Sequence, residues 1–62
     1  MTKVSVRIEK SPDGDWWVSS TDIFGFFAVG ETREEALQNA REALALQMNC
    51  DENELNLTIE NE

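Results

Sequence analysis

The chain has 62 residues, 13 acidic against 5 basic, a formal net charge of -8 and no histidine. That length allows one domain, with a hydrophobic core near the lower limit at which a fold holds without staples. The acid surplus sets a repulsive field against nucleic acid or an anionic membrane, which bind basic patches instead. It suits a cationic protein surface, because opposite net charge steers encounter, and it also serves ordinary solubility.

Cys50 is the single cysteine, so no intramolecular disulfide can form, and without histidine there is no Cys/His zinc set or Cys-His catalytic pair. A reducing cytoplasm is the expected location. The amino end, MTKVSVRIEK, alternates charge with apolar residues and lacks the apolar core of a signal peptide. The run IFGFFAVG is too short to span a bilayer.

In chain order, Val4, Val6 and Ile8 alternate with Ser5, Arg7 and Glu9, which predicts a first strand over about residues 3–10 with one buried face. Ser11-Pro12-Asp13-Gly14-Asp15 then reads as a hairpin turn: proline presets its own dihedral and Asp-Gly tolerates a positive φ. Trp16 to Ser20 returns as a second strand. Thr21 and Asp22 open a corner around Gly25, after which Phe26-Phe27-Ala28-Val29 makes a short third strand ending at Gly30.

Thr32 followed by Glu35 is a capping box, and Glu34 and Glu35 complement the positive end of the helix dipole. The predicted helix runs from Arg33 to about Gln47, with Ala36, Leu37, Ala40, Leu44 and Met48 as its inward stripe and Asn49 as a left-handed terminator. The two alanines let its axis approach a sheet closely. Arg33 and Arg41 are expected as surface pairs, Arg41 near Glu34 and Glu35. Leu55, Leu57 and Ile59 alternate with polar residues and predict a fourth strand.

The order β-β-β-α-β is that of an α+β fold with one helix on one face of a small, mostly antiparallel sheet. The other face is left uncovered. Successive strand residues point to opposite faces, so Trp16 and Trp17 cannot both lie under the helix, nor can Phe26 and Phe27. A five-residue turn opposes Ile8 to Val18 and places Trp16 and Val18 inside, which is the expectation; a four-residue turn would place Trp17 there. The outward aromatics either fold against their own sheet or form an interface with a second copy or a partner, with Trp17, Phe24 and Phe26 as the candidate interface residues. Trp16, Gly25, Gly30, Thr32 and Glu35 are assigned structural roles.

The stretch G-D-W-W-V-S-S-T-D-I-F-G-F-F-A-V-G-E-T-R-E-E-A-L-Q-N-A-R-E-A-L resembles the amino-terminal domain of HicB-type antitoxins and its small bacterial relatives. The correspondence covers Val4 to about Leu46 without a gap. It includes the Asp-Gly turn, the aromatic Trp16, the Asp22-Ile23-x-Gly25 corner, the Gly30-x-Thr32 helix start and Glu34-Glu35-Ala36-Leu37. Phe24 and Phe26 depart from that family, which usually has proline before the corner glycine and often cysteine after it. The resemblance implies the β-β-β-α-β order, reached independently above from periodicity, and implies further that it forms the partial RNase H-like sheet of that family. It also implies an antitoxin-type protein-binding module that neutralises a small basic RNA-cleaving toxin by covering it and blocking its catalytic histidine. The alternative is a stand-alone homodimeric module of unknown ligand. Fuller antitoxins continue into a DNA-binding segment, whereas these 62 residues form the HicB-like domain alone, so no operator binding is expected.

An enzyme is not expected. Asp13 with Asp15, and Asp51, Glu52 and Glu54, have no base or nucleophile beside them and lack calcium-loop spacing; they read as solvated loop acids, with no metal or cofactor. Cys50 reads as a small residue near the helix end.

Overall fold

A computed structural model of the chain describes residues 2–61. Four strands, β1 (Thr2–Lys10), β2 (Trp16–Ser20), β3 (Phe27–Gly30) and β4 (Leu55–Ile59), and one helix, α1 (Arg33–Met48), follow the order β-β-β-α-β, with a single 3-10 turn at Glu52–Glu54. The sheet is mixed, in the order β3-β2-β1-β4: β1 pairs antiparallel with β2 and β2 with β3, while β4 lies parallel to β1. The parallel neighbour follows from the crossover, since α1 carries the chain from one edge of the sheet to the other.

The five-residue turn is the one formed. Ile8 opposes Val18 and Lys10 opposes Trp16, with Ser11 N–H donating to the Asp15 carbonyl at 2.7 Å and Gly14 N–H to the Ser11 carbonyl at 3.0 Å. Gly14 has φ 97, the left-handed region that glycine enters without a Cβ penalty. Trp16 is therefore half-buried against the core, with Lys10 Nζ 5.8 Å from its ring centroid.

Under α1 lie Val4, Val6 and Ile8 from β1, Val18 from β2, Ala28 from β3 and Leu55 from β4, all buried. Ala36, Ala40 and Leu44 of the helix are fully covered. The last buried position of the helix is Ala45, however, and Met48 is 37% exposed. Close approach is taken furthest at Gly30, where a Cβ would fall 2.3 Å from the Ala36 backbone nitrogen.

The helix ends as their residues dictate. Thr32 Oγ1 accepts from Glu35 N–H at 3.0 Å, while the Glu35 carboxylate reaches past Thr32 to accept from Glu31 N–H at 3.1 Å. Asn49, φ 54, closes the other end: its N–H donates to the Leu46 carbonyl at 3.3 Å and that of Cys50 to the Ala45 carbonyl at 3.0 Å.

β1 is longer than either neighbour, and side chains complete its pairing where they stop. Asp22 Oδ2 accepts from Ser5 N–H at 2.7 Å and Ser20 Oγ donates to the Ser5 carbonyl at 2.8 Å. Beyond β4, the Asn61 carboxamide accepts from Ile8 N–H at 3.0 Å and donates to its carbonyl at 2.7 Å. Both substitute for a missing strand, so few backbone groups of β1 are left open.

Candidate functional site

Two surfaces stand out, one on each side of the molecule. The first is the face of the sheet opposite α1. Val18 pairs with Ala28, and both point inward, so Phe27 and Val29 must point out beside Trp17. Trp17, Phe27 and Val29 are 46%, 55% and 40% exposed and form one apolar corner. The Trp17 and Phe27 rings meet edge to face, with centroids 5.5 Å apart.

This corrects the expectation for Phe26. It is buried, at 9% exposure, and belongs to the core, because the parity set by the Val18–Ala28 pair sends it under the helix; β3 begins one residue later, at Phe27. Phe24 is fully exposed at the tip of the Ile23–Phe26 turn, in which Phe26 N–H donates to the Ile23 carbonyl at 3.3 Å and Gly25 has φ 82. Such a φ at the third turn position requires glycine or asparagine, so Gly25 is structural.

The charge on this face is balanced. Lys3 and Arg7 alternate outward along β1 with Glu9, and Glu60, following β4, accepts from Thr21 Oγ1 at 2.6 Å. Glu9 lies in register beside Trp17, and Arg7 beside Ser19, which in turn neighbours Phe27.

The second surface is acidic. Glu42, Ala45, Leu46, Asn49, Cys50, Asp51, Glu52 and Glu54 line an open depression of about 520 Å³ at the carboxyl end of α1. Leu46 is 84% exposed in it. Arg41 is not the surface partner of Glu34 and Glu35 that helical spacing suggested. Its Nη1 donates to the Leu55 carbonyl at 2.9 Å and to the Glu52 carbonyl at 3.4 Å, because the segment after α1 folds back within its reach. Gln38 Nε2 in turn holds Glu52 Oε1 at 3.1 Å and Glu42 Oε1 at 3.4 Å. The carboxylates of helix and loop are thus held close together, at a helix end whose last turn has no basic residue to offset the negative dipole. Their fields add.

Among the described residues, no group of three or more His, Cys, Asp or Glu is placed to hold a metal ion. Asp13 and Asp15 stay in the hairpin turn, apart from Asp51, Glu52 and Glu54. Among the described residues, no helix is long and apolar enough to cross a membrane. Comparison with protein-family models, with curated proteins and with solved structures finds no match. The resemblance to HicB-type domains therefore rests on the ordered motifs of the sequence.

Proposed function

We propose that this protein is a cytoplasmic, HicB-like binding module of the antitoxin type, which neutralises a small basic RNA-cleaving toxin by covering it. The observation that carries the reading is the acidic depression at the end of α1, which Glu42, Asp51, Glu52 and Glu54 line together with the exposed Leu46. Carboxylates raise the local concentration of a cationic partner and orient its approach, and an apolar side chain among them supplies short-range contact once it has arrived. The module needs no chemistry of its own for this. Occupying the toxin surface keeps RNA from the toxin's catalytic group.

The test uses the chain as bait in its own cell lysate at low salt, followed by an RNA-cleavage assay on any small basic protein recovered. The reading expects cleavage that is suppressed when the chain is added back, and not suppressed by the Glu52→Lys/Glu54→Lys variant. Cleavage unaffected by the chain, or recovery of no basic protein, contradicts it. A second reading, a stand-alone homodimeric module that is not an antitoxin, draws its support from the Trp17, Phe27 and Val29 corner.

A further inference from the structure

We propose that the outer face of the sheet is closed by a second copy of this chain, in a two-fold contact centred on Trp17, Phe27 and Val29. Charge selects the occupant. Lys3 and Arg7 offset Glu9 and Glu60 on this face, so a basic protein finds there none of the attraction that the acidic depression offers. Nucleic acid could stack on exposed rings, but it would approach a molecule of net charge -8. A second copy needs no net attraction here. Its own outer face is balanced, and apolar corner meets apolar corner.

The overall charge does not forbid the pairing, because the acidic depression includes helix residues and α1 covers the opposite face of the sheet. With two sheets packed face to face at about 10 Å and a helix layer beyond each, those acids stand apart by well over the Debye length of about 8 Å at physiological ionic strength. Their mutual repulsion is therefore largely screened.

The rim of the corner is also self-complementary. Arg7 and Glu9 are opposite charges on the same face of one strand, two residues apart and next to the aromatic column. A two-fold contact uses the same patch on both copies, so it can set Arg7 of each against Glu9 of the other. Such exposed pairs add little affinity, but they fix register and penalise a misaligned contact. The inference stands apart from the antitoxin reading, since it concerns the opposite side of the molecule.

Sedimentation equilibrium of the purified chain tests it. The wild type is expected as a dimer at micromolar concentration, and Phe27→Ser is expected to weaken the dimer at least about tenfold, as loss of a central aromatic does. Ser19→Arg, which takes nothing from the core, should do the same while unfolding at the wild-type midpoint once both are diluted to monomer, so a folding defect cannot imitate the result. Arg7→Glu and Glu9→Arg should each weaken the dimer, and the double variant should restore it. A monomeric wild type, a dimer indifferent to both Phe27→Ser and Ser19→Arg, or a double variant weaker than either single one overturns the proposal.

Discussion

The Phe27 ring stands edge-on to Trp17 at an interplanar angle of 71°, across the diagonal of the β2–β3 pair and on the face that α1 leaves bare. Edge-to-face aromatic pairs contribute about 0.5–1.5 kcal/mol beyond the area they bury, so the pair holds the corner in shape before anything covers it. If a second copy covers it, Trp17 changes environment on dissociation while Trp16, packed against the core, does not. Diluting the chain should raise acrylamide quenching of its tryptophan fluorescence, and Trp17→Phe should abolish that rise. Quenching that does not depend on concentration in the wild type would count against the contact.

The two surfaces predict salt effects of opposite sign. Association of a basic protein at the acidic depression should slow steeply as salt rises, with little change in dissociation. Self-association should hold or tighten, because added ions screen repulsion between copies of like charge. Sedimentation at low and high salt checks the second point directly, and a dimer that loosens with salt contradicts it.

Thr32→Ala removes the acceptor of Glu35 N–H and should cost about 1 kcal/mol, read as a lower urea midpoint at unchanged slope. Thr32→Ser keeps an oxygen in place and should stay near wild type.

Glycine substitutions should separate close packing from backbone strain. Gly30→Ala places a methyl group against the α1 backbone, where neither side can yield cheaply, and should cost several kcal/mol or prevent folding. Gly14→Ala meets open space and has only its φ of 97 to oppose it, a cost of about 1 kcal/mol. Equal denaturation midpoints for the two variants would contradict the close approach of α1 to β3.

Asn61→Ala should leave both backbone groups of Ile8 without partners. A loss of about 1–3 kcal/mol is expected. Hydrogen exchange at the Ile8 amide should quicken more than at Val18, and uniform quickening would mean that the loss is global.

The elements were legible because each carries its own local signal. The Val4, Val6, Ile8 alternation marks β1, the Thr32–Glu35 box starts α1, and Asn49 stops it. What could not be read locally was the parity of β3. Phe26 and Phe27 are chemically identical, and only the pairing of Ala28 with Val18 decides which one enters the core. For Arg41, helical spacing identified neighbours on α1, but the carbonyls that it holds belong to a segment brought back by the chain reversal after Asn49. Asn61 gave no signal at all. Its partner is 53 residues away, and its role exists only because β4 is shorter than β1. The acidic depression was visible as residue types, as Asp51, Glu52 and Glu54, but not as a surface shared with Glu42 and Leu46.

The central claim is that the acidic end of α1 covers a basic RNA-cleaving protein while the sheet face is left for a second copy. RNA cleavage by the basic protein recovered from lysate, measured with three forms of the chain added back, tests it most directly. The account predicts suppression by the wild type and by Phe27→Ser, and none by Glu52→Lys/Glu54→Lys. Suppression by the charge-reversed form that equals the wild type, or its loss in Phe27→Ser alone, would contradict the account by placing the partner on the other face.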